Sequence, residues 1–436
     1  MSLRPKTHRL HFALPAALLA AGLLAACGGG SDSGSYTLGG TISGLATDGL
    51  VLANGSDTLA VASGATRFTF DGTVSGSYAV SISSQPSGQT CQVSKGSGSA
   101  SGDVASVAIS CRTYRVYVAN SASNTLSQFA VGSGGTLAAL GTATLGVSYA
   151  PSALVVNGDG SRAWLNYRDD EALTVLDIDS SGALSVASVG AEAATFGYAL
   201  ALAPDESHLY ALNYGGASVS QFSLASSGKP SALSPASAAT GLSPYALAIT
   251  PDGAYAYVAN ASDDTISQYA VSSSGALTAK STVDVSSRGS KPQGLAVAPG
   301  GGYLFVTLAG SAKVLSYAIN SSTGALTYSS SQSTGTTPRA IVLSSSGAQA
   351  YVANAGSATV SQFLVSGGTL TPMATRTVAT GSTPSAITIT PDNAYLYVAN
   401  AGDGTVSQYT LGSGGALGAL GTVGAGGSSP VGIVAR

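Results

Sequence analysis

The sequence predicts an all-β protein: a seven-bladed β-propeller of four-stranded antiparallel blades, preceded by a small β-sandwich. A stretch of the type AYLYVANAGDGTVSQY (394–409) recurs seven times at a nearly constant interval from residue 114 onward. A short strand, usually led by Pro, precedes each later copy and also follows the last one. Only 8% of the residues are charged, 44% are hydrophobic and Gly numbers 57, a composition that suits strands joined by tight turns.

Residues 1–26 have the features of an export signal. Arg4, Lys6 and Arg9 precede an apolar run from about residue 12 to residue 24, which is too short to cross a bilayer and remain there. Leu-Ala-Ala-Cys (24–27) resembles the bacterial lipobox, which implies cleavage before Cys27 and acylation of its thiol. Residues 27–35 then form a lipidated Cys with a flexible Gly/Ser tether. The alternative is an ordinary signal peptide whose apolar stretch happens to contain a Cys.

Location and partners follow from this segment and from the charge. Gly28 stands where an Asp tends to retain lipoproteins at the inner membrane, so we expect a lipid-anchored protein of the outer membrane. The sequence does not decide whether the protein faces the periplasm or the cell exterior. Without the signal the chain keeps 14 of 17 Lys and Arg and all 20 Asp and Glu, a formal charge of 14 − 20 = −6. Nucleic acid is therefore excluded as a partner, because phosphate binding needs clustered Lys and Arg. We expect a monomer that uses no cofactor.

Residues 36–112 are predicted to form the sandwich. Six or seven short alternating runs are separated by Gly, Asn and Ser, and the pairs Asn54–Gly55 and Asp71–Gly72 lie where hairpin turns are wanted. Cys91 and Cys111 are the thiols left in an exported chain, and a disulfide is the simplest outcome; two free thiols or a metal pair is the alternative. The phrases GTISGL, GLVLANG and QPSGQTCQVSKGSG resemble an immunoglobulin-like module that follows the lipid anchor in many bacterial envelope proteins. The resemblance implies a spacer and places both cysteines on late strands.

Residues 113–436 are predicted to form the propeller. Each repeat supplies a YVAN-type strand, a TVSQY-type strand and a third short strand, and a Pro-led strand rich in Ala, Ile and Val is predicted to lie innermost. The first copy lacks this inner strand, and residues 431–436 supply one that has no outer strands of its own. We therefore expect the C-terminal strand to complete blade 1, which removes the exposed edges of an open stack.

The YVAN and TVSQY phrases, together with the Pro-led strand, resemble the seven-bladed lactonase-like propellers. This superfamily includes 6-phosphogluconolactonase and many bacterial surface proteins with YVTN-type repeats. The resemblance covers residues 114–436 and implies the fold. It implies no particular activity, because the shared motifs describe strands and turns.

The variable loops are predicted to share one face, the top, with the ends of the YVAN strands and the starts of the inner strands. Asn closes the YVAN strand in most blades, whereas Tyr167 and Leu308 stand there in blades 2 and 5; the asparagines are Asn120, Asn213, Asn260, Asn354 and Asn400. A ring of amides could bind a polyol. Turn formation is favoured instead, because Asn caps turns well. A position that recurs in most blades is also best explained by something that every blade needs in order to fold.

The residue after each Pro is predicted to face the mouth of the channel. Around the ring these residues are Ser152, Tyr198, Tyr245, Gln293, Arg339, Ser385 and Val431. Tyr198, Tyr245, Gln293 and Arg339 are candidate ligand-binding residues for a sugar or an anionic small molecule. The alternative is a water-filled mouth lined by whatever fits.

Blade 2 carries a second departure from the repeat. Its loop reads Tyr167-Arg168-Asp169-Asp170-Glu171, with four successive charges, and the single Trp of the chain, Trp164, lies just before it. Tyr167, Arg168, Asp169 and Asp170 are candidate ligand-binding residues. Carboxylates could bind Ca²⁺, but consecutive residues seldom converge on one ion, so a solvated loop is favoured and no metal is predicted.

Catalytic groups are scarce. His208 is the only histidine beyond the signal and is predicted to lie on the bottom face, so a Ser-His-Asp triad or a His-ligated metal site at the top is hard to build. No catalytic residue is assigned. The sequence favours an envelope-anchored platform that binds a ligand or a partner protein through the top face; the alternative is a lactonase-like hydrolase that acts at the channel mouth.

Overall fold

The computed structural model describes residues 34–436 except 87, 133, 146–149, 169, 171, 180 and 193–196. Every regular element in the described residues is a β-strand. In this part of the chain, no helix has the length and apolar character needed to cross a membrane. The predicted signal (1–26), the lipidation site Cys27 and most of the tether lie outside the described residues.

Two four-stranded sheets form the N-terminal sandwich. Its strands are β1 (Tyr36–Ser43), β2 (Leu50–Asn54), β3 (Asp57–Val61), β4 (Arg67–Val74), β5 (Gly76–Ser84), β6 (Gln89–Ser94), β7 (Ser97–Ala100) and β8 (Val104–Thr113). The sheet orders are β4-β1-β8-β6 and β3-β2-β5-β7. One hydrophobic core joins the two sheets, with Leu38 and Ile109 from the first and Leu50 and Leu52 from the second among its buried side chains.

The turn predictions for the sandwich had mixed outcomes. Asn54–Gly55 does begin the hairpin between β2 and β3, with Asn54 paired to Asp57. Asp71–Gly72 is not a turn: it lies inside β4, where the pairing with β1 shifts register, and a Gly within a strand often marks such an irregularity. The chain turns instead after β4, where Gly76 has a φ of 108°. There are eight strands in the described residues rather than six or seven.

The disulfide prediction is confirmed. Cys91 and Cys111 lie directly opposite each other on the antiparallel strands β6 and β8 and are bonded. Both are buried in the sandwich core.

The propeller begins one residue after the sandwich, and each blade is one antiparallel sheet. From the inside outward, the blades are: blade 1, β37 (Pro430–Ala435), β9 (Arg115–Asn120), β10 (Thr125–Val131), β11 (Leu137–Thr144); blade 2, β12 (Pro151–Val156), β13 (Arg162–Tyr167), β14 (Ala172–Ile178), β15 (Leu184–Glu192); blade 3, β16 (Gly197–Leu202), β17 (His208–Asn213), β18 (Ser218–Leu224), β19 (Pro230–Ala239); blade 4, β20 (Pro244–Ile249), β21 (Tyr255–Asn260), β22 (Thr265–Val271), β23 (Leu277–Ala279) with β24 (Val283–Asp284); blade 5, β25 (Pro292–Val297), β26 (Tyr303–Leu308), β27 (Lys313–Ile319), β28 (Leu326–Ser333); blade 6, β29 (Pro338–Leu343), β30 (Gln349–Asn354), β31 (Thr359–Ser366), β32 (Thr369–Ala379); blade 7, β33 (Pro384–Ile389), β34 (Tyr395–Asn400), β35 (Thr405–Leu411), β36 (Leu417–Gly424).

Closure by the C-terminal strand is confirmed, because β37 pairs antiparallel with β9. The Pro-led strands are innermost, as predicted, although blade 3 begins its inner strand with Gly197. Blade 4 departs from the four-strand pattern, since its outermost strand is interrupted and β23 and β24 both pair with β22. Pro244 pairs with Asn260, so the start of the inner strand and the end of the YVAN strand share the top face.

Each interface between neighbouring blades has its own hydrophobic core. The seven cores join blades 7 and 1, 1 and 2, 2 and 3, 3 and 4, 4 and 5, 5 and 6, and 6 and 7. The third residue of the strand next to the inner one is a buried aromatic in every blade and projects towards the following blade. The blades therefore pack face to face around the ring.

These aromatic residues also form hydrogen bonds between blades. Six of the seven donate to the carbonyl of the glycine that ends the turn before the outermost strand of the next blade: Tyr117 to Gly182, Trp164 to Gly228, Tyr210 to Gly275, Tyr257 to Gly324, Tyr351 to Gly415 and Tyr397 to Gly135. The glycines have positive φ values between 68° and 85°, which favours Gly there. Blade 5 has Phe305 at this position and no hydroxyl to donate.

The glutamine of the TVSQY strand forms a second tie in four blades. Its side-chain oxygen accepts the backbone N–H of the leucine that follows the glycine turn of the next blade: Leu277 N–H to Gln221 (2.5 Å), Leu326 to Gln268 (3.0 Å), Leu417 to Gln362 (2.7 Å) and Leu137 to Gln408 (2.6 Å). The last of these, like Tyr397 to Gly135, closes the ring between blades 7 and 1. The repeat thus encodes the contacts that hold the blades together.

Replacing Tyr397 by Phe should lower the free energy of unfolding by roughly 1–3 kcal/mol, because the buried Gly135 carbonyl loses its donor. Urea unfolding followed by circular dichroism measures the change. Tyr328→Phe is the matched control, since Tyr328 is partly exposed at the outer surface. Equal midpoints for the two variants would contradict a stabilising role for the Tyr397 hydroxyl.

The propeller should lose stability at alkaline pH. Burial raises the pKa of Tyr117, Tyr210 and Tyr351 to about 12, whereas an unfolded tyrosine titrates near pH 10. Above about pH 10 the unfolded chain releases protons that the folded chain retains, so stability is fully present below that pH and is lost as the pH rises towards 12. Urea midpoints measured from pH 8 to pH 11 should fall only beyond about pH 10; an unchanged midpoint at the upper end would contradict this assignment.

Candidate functional site at the top of the channel

A β-bulge places one residue of each inner strand at the top mouth of the channel. In blade 4, Pro244 pairs with Asn260 and Ala246 with Ala259, so Tyr245 between them has no partner of its own. The same shift follows the first residue of every inner strand. Bulges redirect side chains and are common near functional sites. This position therefore varies in chemistry while the surrounding ladder is kept.

Three tyrosines form a cluster at the mouth. The ring centroids of Tyr198 and Tyr245 are 4.3 Å apart, and that of Tyr214 lies 5.3 Å from Tyr198 and 6.5 Å from Tyr245. Arg168 adds its guanidinium 5.9 Å from the ring centroid of Tyr198, a cation–π distance. Burial raises the pKa of Tyr198, and its neighbour Tyr245 raises it further, while Arg339 and Arg168 oppose the change. The Tyr198 hydroxyl is therefore neutral at physiological pH and can donate a hydrogen bond.

Arg339 occupies the equivalent position in blade 6. Tyr198 belongs to blade 3, yet the charge of Arg339 lowers the pKa of Tyr198, so the two side chains interact electrostatically at the mouth. The Nε atom of Arg339 is shielded from solvent and has no hydrogen-bond partner among the described residues. Among the described residues, no carboxylate lies within salt-bridge distance of Arg339, and the ion pair found there joins Arg162 to Asp177.

Gln293 lies beside Arg339 in the neighbouring blade. Its Oε1 atom is also buried and accepts no hydrogen bond from the described residues. Gly294 permits this proximity: a Cβ at this position would come within 2.7 Å of the Arg339 carbonyl oxygen. The backbones of the two strands therefore come close, and each of the two side chains has a buried polar atom with no partner among the described residues.

The other three residues of the ring offer fewer free polar groups. Ser152 is buried and donates to Asn166 in its own blade at 2.8 Å, while Ser385 donates to the carbonyl of Pro430 at 2.7 Å. Val431 is apolar. The polar candidates are therefore confined to blades 3 to 6, with Arg168 adjoining from blade 2.

The asparagines at the ends of the YVAN strands serve the fold. All five are fully buried, and each amide donates to a hydroxyl seven residues later, as Asn260 does to Ser267 at 2.9 Å. The others pair in the same way: Asn120 with Ser127, Asn213 with Ser220, Asn354 with Ser361 and Asn400 with Ser407. Their amide N–H groups thus hold the hairpin, in agreement with the favoured interpretation, while their Oδ1 atoms are buried and have no hydrogen-bond partner among the described residues.

The blade 2 loop supplies less than predicted. Tyr167 is fully buried, and its hydroxyl lies 2.7 Å from the Thr174 hydroxyl, so the structure removes it from the ligand-binding candidates. Arg168 is exposed and reaches the mouth, and Asp170 is half-buried. Asp169 and Glu171 lie outside the described residues. Trp164 is buried between blades 2 and 3.

Tyr214 belongs to the site but was missed from the sequence. It directly follows the Asn of the YVAN-type strand, where other blades have small residues: Ser121, Ala261, Ala309, Ala355 and Ala401. Arg168 occupies this position in blade 2. The two large residues at an otherwise small position are those that flank Tyr198, so the same departure from the repeat could have identified Tyr214.

Three aspartates of the top loops are engaged by backbone N–H groups. Asp263, Asp264 and Asp403 accept backbone N–H groups of the neighbouring top loops, from Leu242, Lys291 and Ser382 respectively. His208 is on the bottom face, as predicted, where its Nδ1 atom lies 2.6 Å from the Ser207 hydroxyl. No group of three or more metal-binding side chains occurs in the described part of the chain.

Comparison with known proteins agrees with this architecture. Residues 200–434 match the family model of the lactonase, seven-bladed β-propeller, which is 235 of 436 residues, or more than half of the chain. The chain belongs to this lactonase family. The matched residues span most of blade 3 and all of blades 4 to 7. No curated protein matches the chain.

Solved structures share the lactonase-family fold at low sequence identity. A candidate 6-phosphogluconolactonase of Bacteroides fragilis superposes with a TM-score of 0.65 at 20% identity, covering 74% of this chain and 98% of its own. A protein of Lactobacillus plantarum gives 0.65 at 20%, covering 74% and 99%. The periplasmic gluconolactonase of Pseudomonas aeruginosa gives 0.60 at 19%, covering 73% and 98%. At these identities the similarity shows the fold.

Proposed function

We propose that this propeller binds a small anionic sugar derivative, of the sugar-acid class, at the top mouth of its channel. The observation that supports the proposal is the pair of shielded, unpartnered polar atoms, Nε of Arg339 and Oε1 of Gln293. A buried polar atom without a partner is costly, and a ligand that pairs with it offsets that cost. A carboxylate suits the guanidinium, and a hydroxyl suits the amide oxygen.

The tyrosine cluster fits the remainder of such a ligand. Tyr198, Tyr214 and Tyr245 form a cluster of partly exposed rings at the mouth. An amphipathic ring with C–H faces and hydroxyl edges matches surfaces of this kind, where a few polar groups fix orientation within an aromatic wall. The P. aeruginosa neighbour is a gluconolactonase, and its name supports the choice of a sugar acid or its lactone for this chain.

Hydrolysis of a sugar lactone is the second candidate, and family membership favours it. In that reaction water adds to the lactone carbonyl carbon, the ring C–O bond breaks, and the ring oxygen takes a proton to give a hydroxy acid. Arg339 could stabilise the oxyanion. A general base is also required, and the carboxylates of Asp263, Asp264 and Asp403 already cap loops. Binding therefore ranks first.

Calorimetric titration of the full-length chain, purified in detergent, with gluconate tests the binding proposal. We expect saturable binding that weakens about tenfold or more in Arg339→Gln, because a charge-assisted hydrogen bond is lost. Arg376→Gln is the matched control, since Arg376 is exposed on the outermost strand of blade 6. Absence of gluconate binding, or equal binding by both variants, would count against the proposal.

The same proteins with δ-gluconolactone separate the two functions. Hydrolysis above the spontaneous rate that Arg339→Gln removes and Arg376→Gln keeps would establish the lactonase function. Gluconate binding without such turnover would leave the site as a binding site.

We further propose that the chain is a lipoprotein of the outer membrane and that the sandwich is a spacer of the immunoglobulin-like kind. The support is in the sequence: the basic start, the apolar run, Leu-Ala-Ala-Cys (24–27) and Gly28. Several acyl chains anchor a protein stably, whereas one does not. The tether and the spacer would then hold the propeller away from the lipid.

Cys27→Ser should move the protein from the membrane fraction to the soluble fraction, because the acylated thiol is lost. Fractionation of cells that express each form, with immunoblotting, measures the distribution. Cys91→Ser is the control, since it removes a thiol of the disulfide and leaves the predicted anchor intact. A membrane-bound Cys27→Ser protein would contradict lipid anchoring.

A further inference from the structure

The interface between blades 5 and 6 lacks both of the hydrogen bonds that join other blades. Each of the other six interfaces has an aromatic donor that reaches the glycine turn of the next blade, and four of them add the glutamine acceptor. In blade 5 the aromatic residue is Phe305, which has no hydroxyl, and Ser316 stands where those four blades have glutamine. Because Phe305 and Ser316 lie directly opposite each other on β26 and β27, both bonds are missing at one place.

The glycine turn of blade 6 nevertheless lies where the bonded turns lie. Gly368 has a φ of 74°, and a Cβ added to it would come within 2.2 Å of the Tyr303 ring of blade 5. A Cβ at Gly324, in a bonded turn, would come equally close to the Tyr255 ring of blade 4, at 2.3 Å. A hydrophobic core fills the space between blades 5 and 6. The turn of blade 6 is therefore held against blade 5 by apolar packing, without the directed bonds that fix the other turns.

Two hydroxyl groups beside the missing bonds have no partners. Ser316 is fully buried, and neither its Oγ atom nor that of Ser330, which lies opposite it on β28, has a hydrogen-bond partner among the described residues. In blade 6, Gln362 fills the equivalent position, where it accepts the Leu417 N–H and donates to the Thr375 carbonyl. Buried polar groups without partners are unfavourable. The interface between blades 5 and 6 is therefore less stable than the one between blades 6 and 7.

The same interface separates the two groups to which the ligand at the channel mouth is assigned. Gln293 is on the inner strand of blade 5, and Arg339 is on the inner strand of blade 6. Any rotation of one blade against the other changes the separation of these two side chains. A ligand that binds both is selective for one separation, so its binding shifts the equilibrium towards that arrangement of the blades.

We propose that the ring opens locally between blades 5 and 6, and that a ligand bound to Gln293 and Arg339 holds this interface closed. Local opening occurs where the fewest interactions oppose it, and here two hydrogen bonds are absent from one interface. The role of the ligand rests on the proposed function, whereas the opening itself does not. Occupancy of the mouth thereby changes the mobility of the turn between the two outer strands of blade 6.

Hydrogen–deuterium exchange of the full-length chain in detergent, followed by mass spectrometry, tests the opening. After correction for intrinsic rates, we expect the amides of residues 367–370 in the unliganded protein to exchange about tenfold faster than those of the bonded turn at 412–417, because two hydrogen bonds are missing. The double variant Phe305→Tyr/Ser316→Gln supplies both bonds and should slow exchange at 367–370 by about the same factor. The matched reverse variant, Tyr351→Phe/Gln362→Ser, should accelerate exchange at 412–417 and leave 367–370 unchanged.

Equal exchange of the two turns in the unliganded, unaltered chain would overturn the proposed opening. This comparison decides the matter alone if urea midpoints show that the double variants do not fold.

The same measurement with saturating gluconate tests the role of the ligand. We expect gluconate to slow exchange at 367–370 and to leave 412–417 unchanged. Gluconate that binds in calorimetry without protecting 367–370 would overturn the coupling and leave the proposed function intact. If gluconate does not bind, the coupling fails together with the proposed function, while the comparison of the unliganded turns still decides whether the interface opens.

Discussion

The structure depends on hydrogen bonds that cross from one blade to the next. A buried aromatic donor and, in four blades, a glutamine acceptor reach the backbone of the glycine turn that follows in the ring. The turn can curl tightly because Gly adopts a positive φ, and its exposed backbone groups are then satisfied from outside the blade. Each blade thus completes its neighbour, and the C-terminal strand lets the last blade complete the first.

This constraint explains where chemistry can vary. The turns and the strand next to the inner one carry the ties between blades, so their residues repeat. The bulged residue of the inner strand pairs with nothing across the ladder, as Tyr245 shows. It can change without disturbing a neighbour, and around the ring it is serine, tyrosine, glutamine, arginine or valine. The residues at the mouth can therefore vary because the contacts that hold the blades together lie elsewhere in each blade.

The same distinction determines what the sequence could predict. Repeated features gave the blades, the inner strands and the closure, because each was seen in several copies. Predictions from features that occur only once in the sequence were less reliable. Asp71–Gly72 has the composition of a turn but lies in a register shift, and Tyr167 adjoins a charged loop but points into the core. The electrostatic interaction between Tyr198 and Arg339 could not be predicted from the repeats, because blades 4 and 5 separate the two residues and only the closed ring relates them.

Arginine placement distinguishes the mouth from the rest of the surface. The Nε atom of Arg339 is shielded from solvent and has no hydrogen-bond partner among the described residues. Shielding a polar group of a cation without a partner is unfavourable, whereas the exposed Arg376 on the outermost strand of blade 6 has no such cost. An anion bound at the mouth would offset this cost, which is why the proposed ligand is an acid.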